Sequence, residues 1–411
     1  MANSPPRRQQ RPRAATPRAH ADAPADHAVV TLKGARRWRD GHPWIFRSDV
    51  ARRPDAPPGA VLVYDIGGRP LGWALWSPAS EISLRLLDSN PGATIDGSWW
   101  RDRLERALRR RQPLGAHATA YRLVHAEADG CPSLICDRYD RWLVVQLLSA
   151  GIERFRAPIV GALIDLVAPA GILARNDVPV RSKEQLRRET VTLHGDVPRE
   201  VDVVEHGVRY LAAPWEGQKT GAFLDQRENR VRAGLIARGR ALDCFAYHGS
   251  FALHLARAAE QVVAVDSSAA ALARARANAA RNGLRNIEFV EANAFDYLRH
   301  QEASGGRFDT IVLDPPAFAK TRAALAGAVR GYKEINLRAL RLLSPGGLLL
   351  TASCSYHLTK PLFLEMLEAA SADSGRRVAL RELLGQPSDH PEVLTIPESG
   401  YIKGAVLEAM E

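Results

Sequence analysis

The C-terminal half of the chain places acidic, amide and thiol side chains directly after apolar stretches. The stretches QVVAVD and DTIVLD end on a carboxylate, and GLLLTASC ends on a thiol. A carboxylate can accept a hydrogen bond from a ribose or a base, and a thiolate can attack an electrophilic carbon. The side chains that we single out, together with one turn glycine, are Asp243, Gly249, Asp266, Asn293, Asp314 and Cys354.

The elements that must position these side chains alternate between strand and helix patterns. Short apolar stretches are separated by helical stretches such as ALARARANAARN, which is typical of parallel βαβ units. In such a sheet the carboxyl ends of the strands share one edge, and ligands bind there. The sequence therefore predicts a Rossmann-like α/β domain with its site at this edge.

The first turn of this domain, DCFAYHGSF, contains a single glycine at Gly249. A dinucleotide needs several glycines so that the backbone can approach the pyrophosphate. A cofactor without phosphates needs only a tight turn, which favours S-adenosylmethionine over NAD. The ribose would then bond to Asp266, and the adenine would lie near Asn293. The alternative for Asp243 and Asp266 is that both are helix N-caps.

The DPPAF segment follows the predicted fourth strand. Consecutive prolines cannot continue a central strand, so they form a rigid corner that exposes Asp314, with Phe318 close by. A carboxyl group there can bind the Watson–Crick edge of a flipped base. A plain turn is the alternative.

Cys354 follows the predicted fifth strand and lies between two serines. Such small polar neighbours indicate an accessible nucleophile, whereas Cys244 within DCF is typical of a core cysteine. A thiol has a pKa near 8.5, so a helix N-terminus or a nearby charge would have to favour the thiolate. Attack on C6 of a pyrimidine would make C5 nucleophilic towards a sulfonium methyl group.

The overall composition limits the cellular compartment and the classes of binding partner that we expect for this protein. The net charge of +10 and pI near 9.7 indicate either a nucleic-acid partner or a composition bias of the genome. No apolar run approaches the roughly 18 residues that cross a bilayer, and the polar N-terminus is not a secretory signal. The four cysteines form neither a disulfide framework nor a zinc site. We therefore expect a cytoplasmic protein without a membrane or metal partner.

The chain resembles a known family in seven stretches: QKTGAFLDQRENR, DCFAYHGSF, VVAVDSS, VEANAFDYL, VLDPPAF, TASCSYHL and SDHPEVLTIPESGYIKG. These are similar to the RlmI family of 23S rRNA (cytosine-5)-methyltransferases. The resemblance extends from about residue 29 to the C-terminus. It implies a class I S-adenosylmethionine-dependent methyltransferase domain preceded by a PUA-like RNA-binding domain and a small α+β domain.

The resemblance also assigns roles to residues of this sequence. Cys354 would be the nucleophile and Asp314 would contact the cytosine, with Pro315, Phe318 and Lys320 also at the substrate. The residues around S-adenosylmethionine would be Gln218, Lys219, Thr220, Asp243, Tyr247, Gly249, Asp266 and Asn293. Two positions depart from the pattern, since Asn293 stands where many relatives carry aspartate, and Ala317 where lysine is frequent.

Stretches rich in glycine, proline or charged residues mark boundaries that divide the chain into five predicted segments. Residues 1–27 form a disordered basic tail. Residues 28–92 form short strands that resemble a PUA domain in GHPWIF and SPASEI, which predicts a small β-barrel. Residues 93–115 form a solvated linker helix with Ser98 as its N-cap. Residues 116–212 form the α+β middle domain, and residues 213–411 form the methyltransferase domain.

The predicted function is 5-methylcytosine formation in 23S rRNA through a Cys354–C6 adduct, and a homodimer is one oligomeric state that the sequence leaves open. One alternative is methylation of an exocyclic amine, because DPPAF resembles the motif of amino methyltransferases. Another is an RNA-binding ribosome-assembly factor without turnover. A Cys354→Ala variant separates the first two, since only the C5 reaction needs the thiol.

Overall fold

The computed structural model describes residues 25–319 and 321–410. Most of the predicted basic tail and Lys320 lie outside the described residues. The chain divides into two compact units between residues 95 and 96. No helix of the described part is long and apolar enough to cross a membrane.

The N-terminal unit is a six-stranded sheet with one helix, and the strand order is β2-β6-β5-β4-β1-β3. Strand β4 shows why the sheet forms, since Val61, Val63 and Asp65 are buried while the residues between them are partly exposed. Gly72 has φ +137°, and a Cβ there would lie 2.2 Å from the Asp88 carbonyl oxygen. The elements are β1 (Ala28–Val30), α1 (Leu32–Arg39), β2 (Trp44–Phe46), β3 (Val50–Arg52), β4 (Gly59–Asp65), β5 (Pro70–Trp76) and β6 (Ile82–Asp88).

The second unit begins with helix α2 (Gly97–Arg111). Its N-cap is Asp96, not Ser98 as predicted, because the Asp96 carboxylate accepts hydrogen bonds from Trp99 N at 3.0 Å and from Ser98 Oγ at 2.7 Å. The expectation of a solvated helix was wrong for one face. That face buries Trp100 and Leu104, and the helix packs against a later helix of the same unit.

A five-stranded sheet, ordered β11-β10-β9-β8-β7, and a two-stranded hairpin follow this helix. The hairpin turns at His206 and Gly207, both of which have positive φ. The elements are β7 (Ala120–His125), β8 (Leu134–Tyr139), β9 (Trp142–Leu147), α3 (Ala150–Glu153), α4 (Arg156–Val167), β10 (Gly171–Arg175), α5 (Pro179–Lys183), β11 (Thr190–Gly195), β12 (Val201–Glu205) and β13 (Val208–Ala212).

The remainder of the unit is a seven-stranded sheet with strand order β16-β15-β14-β17-β18-β20-β19. The first five strands in this order are parallel to one another. Strand β20 runs antiparallel to β18 on one side and to β19 on the other, so β19 and β20 form a terminal antiparallel pair. The strands are β14 (Arg240–Cys244), β15 (Gln261–Asp266), β16 (Ile287–Glu291), β17 (Phe308–Leu313), β18 (Leu343–Ser353), β19 (Val378–Leu384) and β20 (Lys403–Ala409). This arrangement confirms the predicted α/β fold class.

Helices cover both faces of this sheet, and its central strands are buried. They are α6 (Arg227–Ile236), α7 (Ser250–Leu255), α8 (Ala269–Arg281), α9 (Ala294–Ala303), α10 (Leu325–Leu342) and α11 (Lys360–Ser374). Strand order reverses at β14, which pairs with β15 on one side and β17 on the other. The carboxyl ends of β14, β15, β17 and β18 therefore meet at a topological switch point, where ligands of such sheets bind.

Buried ion pairs attach the five-stranded sheet and hairpin to the seven-stranded sheet. Glu205 of β12 accepts hydrogen bonds from Arg230 of α6 at 2.7 Å and contacts His254 at 3.0 Å. Asp389 accepts from Arg227 at 2.7 Å and from Arg122 N at 2.8 Å. These charges are paired and hydrogen-bonded, as burial requires.

Candidate functional site

A cavity of about 530 Å³ lies at the carboxyl edge of the seven-stranded sheet. We call it the rim cavity. It brings together predicted residues from five separate stretches of sequence, which are Gln218, Lys219, Tyr247, Asp266, Asp314, Pro315 and Cys354. Its other lining residues include Phe223, Asp225, Gln226, Arg230, Phe245, Pro316, Tyr401 and Ile402. The remaining predicted residues that the structure describes do not line it.

The turn after β14 forms one wall of the rim cavity. Phe245 and Tyr247 have φ values of 66° and 50°, in the left-handed region that costs energy for residues with a side chain. Gly249 follows at φ +83°, and a Cβ there would lie 2.9 Å from the Ala275 Cβ. The single glycine of the sequence motif is therefore needed for a tight turn against α8.

Asp266 lies at the end of β15 and fixes this turn. Its carboxylate accepts hydrogen bonds from Tyr247 N at 2.8 Å and Ser268 N at 2.9 Å. The N-cap of α8 is Ser268, so the alternative that Asp266 is a helix N-cap was wrong. Each carboxylate oxygen keeps a second lone pair that can accept a ribose hydroxyl.

Asp243 is fully buried beneath the same turn and does not line the cavity. One oxygen accepts a hydrogen bond from Ala252 N in the first turn of α7 at 2.8 Å, but the N-cap of α7 is Gly249, so the N-cap alternative was wrong for Asp243 as well. The other oxygen has no partner among the described residues. Burial, with further repulsion from Asp314 and Asp266, raises the pKa of Asp243 well above its ordinary value.

Three other predicted site residues make contacts elsewhere. Asn293 is the N-cap of α9 and accepts from Phe295 N at 2.9 Å. Thr220 donates to Asp137 at 2.6 Å. Phe318 packs against Tyr332, with a distance of 4.5 Å between the two ring centroids. Their roles at cofactor or substrate stay predictions, and Lys320 lies outside the described residues.

The carboxyl group of Asp314 lies at the corner after β17 and is oriented by Gln226, whose Nε2 donates to it at 2.7 Å. Burial, with repulsion from Asp225, raises the pKa of Asp314 to about 6. A carboxyl group with this pKa carries a proton part of the time near neutral pH. It can therefore donate a hydrogen bond as well as accept one.

Cys354 follows β18 directly and is the one partly exposed cysteine of the chain. The expectation that its surroundings favour the thiolate was wrong. Burial and the Asp314 carboxylate raise the pKa of the thiol to about 11. The two neighbouring serines, Ser353 and Ser355, are themselves buried, and Ser355 Oγ bonds to the Tyr332 hydroxyl at 2.9 Å.

Sequence reasoning missed Asp225, Gln226 and Tyr401 as individual site residues. The first two belong to FLDQR, a charged stretch before the first strand, which was a signal for a ligand loop. Asp225 accepts from Lys219 and from the Tyr401 hydroxyl at 2.9 Å. Tyr401 lies in the terminal hairpin connection and gave no sequence signal of its own.

Comparison with known proteins identifies the family. A family model described as S-adenosylmethionine-dependent methyltransferase matches residues 175–402, and a PUA-like domain model matches residues 29–89. The ribosomal RNA large subunit methyltransferase I of Aeromonas salmonicida is 43% identical over 90% of this chain and 95% of its own length. That of Shewanella amazonensis is 42% identical over 89% and 94%. This chain belongs to that methyltransferase family.

Membership of this methyltransferase family confirms the predicted enzyme class and the predicted cofactor, S-adenosylmethionine. Solved structures show the same fold. A methyltransferase from Streptococcus mutans superposes with a TM-score of 0.78, 21% identity and coverage of 93% of this chain and 99% of that one. A methyltransferase solved with S-adenosylhomocysteine superposes with a TM-score of 0.80 at the same identity and coverage.

The rim cavity fits S-adenosylmethionine in its chemistry. Asp266 offers lone pairs to a ribose diol, and the rings of Tyr247 and Phe251 offer apolar surface. Asp225 and Asp314 add acidic groups that suit a cofactor with ammonium and sulfonium charges. Within residues 25–319 and 321–410, no group of His, Cys, Asp or Glu side chains could hold a metal ion.

Proposed function

We propose that this methyltransferase forms 5-methylcytosine in 23S rRNA through a covalent bond between Cys354 and C6 of the base. The observation that carries the proposal is that one cavity is lined by Cys354, Asp314 and Asp266. A nucleophile, an acid for the base and a ribose acceptor for the cofactor thus share one space. The relatives named as ribosomal RNA large subunit methyltransferases supply the RNA class.

The reaction that these groups support begins at C6. The Cys354 thiolate forms a bond to C6, and the electron pair of the C5–C6 double bond moves to C5. Asp314, as the carboxylic acid, donates its proton towards N3 and so stabilises the electron-rich ring. S-adenosylmethionine, when bound, supplies the methyl group to C5. A base then removes the C5 proton, and its electron pair re-forms the C5–C6 double bond as the S–C6 bond breaks with its pair left on sulfur. N3 returns its proton to Asp314, so both the thiolate and the carboxylic acid are restored.

Asp225 is the cavity group that we assign to accept the C5 proton. Burial alone would raise its pKa, but the Lys219 ammonium group holds the pKa of Asp225 below its ordinary value. Asp225 is therefore ionised when Asp314 carries a proton. Two carboxyl groups in different environments can divide base and acid roles in this way.

Two experiments test the proposal: mapping of 5-methylcytosine in 23S rRNA, and trapping of the covalent enzyme–RNA complex. We expect mass spectrometric maps of 23S rRNA to lack one 5-methylcytosine in cells without the protein, and Cys354→Ala not to restore it. RNA containing 5-fluorocytidine cannot lose a proton from C5, so wild-type enzyme should form a denaturant-stable complex with it. An unchanged 5-methylcytosine inventory, or full activity of Cys354→Ala, would refute the proposal; the second outcome would favour amine methylation.

The other parts of the chain have supporting roles in the proposal. The PUA-like unit would position rRNA for the methyltransferase domain, and the domain limits near residues 92, 115 and 212 stay as predicted from the sequence. Because rRNA is the substrate, the proposed site of action is the cytoplasm. The predicted homodimer would cover apolar side chains exposed on α6 and β19, which are Leu235, Leu380 and Leu383. Light scattering of the purified protein tests that state.

A further inference from the structure

A second cavity of about 640 Å³ lies beside the rim cavity, and we call it the side cavity. Two stretches of chain form walls of both. Cys354 lines the rim cavity, while Tyr356 and His357 line the side cavity. In the second stretch, Tyr401 and Ile402 line the rim cavity, while Gly400 and Lys403 line the side cavity. The further lining residues of the side cavity include Arg322, Leu325, Lys360, Leu362, Glu392, Val393, Leu394 and Pro397.

The side cavity begins very close to the nucleophile. Two residues of chain span at most about 7 Å, so Tyr356 lies within that distance of Cys354 measured between Cα atoms. A polymer whose reactive unit enters the rim cavity can therefore place its neighbouring unit in the side cavity. The lining of the side cavity consequently bears on the next unit of the substrate.

An aromatic ring is exposed on the wall of the side cavity. Tyr356 is 54% exposed, which is unusual for a large aromatic side chain in a cavity wall. Its ring meets His357 edge to face, with centroids 5.2 Å apart and planes at 75°. A ring that is more than half exposed has surface available for stacking on a base.

The charge of the side cavity is positive. Its lining contains three Lys or Arg side chains and one acid. Lys360 pairs with that acid, Glu392, at 2.8 Å. The Lys403 ammonium group donates to the carbonyl oxygens of Ser355 and Tyr401, which carry no formal charge. Arg322 lines the side cavity and is exposed to solvent. Positive charge beside an exposed ring suits a nucleotide, since the ring stacks on a base and the cations attract its phosphate.

We propose that the side cavity binds the nucleotide next to the target cytosine in single-stranded RNA, with its base stacked on Tyr356 and its phosphate near Arg322. This inference rests on the proposed function, because it requires an RNA substrate. It assigns part of substrate recognition to residues that touch neither the cofactor nor the reacting base. The nucleotide beside the target is thereby read within the methyltransferase domain itself.

Methyl transfer to large-subunit rRNA from cells lacking the protein tests the stacking contact. Tyr356→Ala is expected to raise KM for rRNA on the order of 10-fold, because one base–aromatic stack changes affinity by about that factor. Tyr356→Phe keeps the ring and should keep KM within about twofold of wild type. The Kd for S-adenosylmethionine, measured by calorimetry, should be unchanged in both variants because Tyr356 does not line the rim cavity.

A matched pair of arginine variants tests the phosphate contact. Arg322→Ala should raise KM for rRNA and reduce the slope of log KM against log salt concentration by about one. Arg285→Ala removes the same charge from an exposed residue just before β16, at the opposite edge of the sheet. It should leave both quantities near wild type.

The outcomes separate this inference from the proposed function. If wild-type enzyme transfers no methyl group to rRNA, both fail. If wild-type enzyme is active and Tyr356→Ala has wild-type KM, the side-cavity inference alone is wrong. If Tyr356→Ala methylates naked rRNA normally but precursor particles slowly, the cavity binds a protein instead, for which the 95% exposed Leu394 would be the contact, and the inference is again overturned.

Discussion

Replacing Asp314 by asparagine should make the Cys354 thiol more reactive while it stops catalysis. At pH 8 Asp314, with a pKa of about 6, is ionised, and its negative charge opposes a second negative charge on sulfur. With its pKa near 11, Cys354 is ionised in about one molecule in a thousand at pH 8. Asparagine keeps the shape and the hydrogen bond from Gln226 but removes the charge.

The size of the effect follows from the causes of the raised thiol pKa, which are burial, the Asp314 carboxylate and, to a smaller extent, the Asp225 carboxylate. Burial is the largest cause, and the asparagine variant leaves both burial and Asp225 in place. A neighbouring charge changes a pKa by about one unit or more, so the thiolate fraction at pH 8 should rise on the order of tenfold. It should stay below the fraction for a free cysteine, whose pKa is near 8.5.

Alkylation by iodoacetamide, followed by peptide mass spectrometry, measures this fraction because only the thiolate reacts. The alkylation rate at Cys354 should rise about tenfold per pH unit up to pH 10. The curve of alkylation rate against pH for Asp314→Asn should be shifted to lower pH. The other three cysteines are fully buried and report unfolding if they react. The reasoning fails if wild-type Cys354 reacts at pH 8 like a free thiol, or if Asp314→Asn reacts more slowly than wild type.

Three further predictions concern the cofactor and stability. Asp266→Ala should weaken S-adenosylmethionine binding by calorimetry on the order of 10-fold or more, because it removes a charge-assisted acceptor and frees the turn. Trp100→Ala should lower the free energy of unfolding in urea by about 3–5 kcal/mol, and the partly exposed Trp99→Ala by less. Arg230→Met should lower the free energy of unfolding by about 3–5 kcal/mol, because it leaves the buried Glu205 without its guanidinium partner. Burial raises the pKa of Glu205, but Arg230 outweighs burial and lowers it. The ion pair therefore stabilises the fold above about pH 4.3, and this stabilisation is lost as the pH falls. In Arg230→Met the corresponding loss of stability at acid pH should disappear.

Residues at the ends of parallel strands were the predictable part of the site. Asp266, Asp314 and Cys354 each follow a buried apolar stretch, and the geometry of a parallel sheet brings such positions to one edge. The same logic could not tell which side chains turn into the cavity. Asn293 also follows a strand, but its side chain caps α9, and local capping competes with ligand binding for the same polar atoms.

Contacts between distant segments were beyond the sequence. The hydrogen bond from Tyr401 to Asp225 joins residues 176 positions apart, and no local pattern predicts that these two side chains meet. The direction of the Cys354 pKa was likewise misjudged, because it depends on how much water the fold leaves at the sulfur. The linker helix was misread for a related reason: its arginines dominate the composition, whereas Trp100 and Leu104 determine where it packs.

The two raised pKa values in the rim cavity share burial as their largest cause. Burial disfavours the ionised forms of both groups, so the thiol of Cys354 stays neutral and Asp314 keeps its proton to a higher pH than usual. A neutral thiol is a poor nucleophile and is slow to oxidise, so we expect Cys354 to react slowly with stray electrophiles. The positive charge of S-adenosylmethionine would stabilise the Cys354 thiolate. We therefore expect the nucleophile to become reactive only when the site is filled.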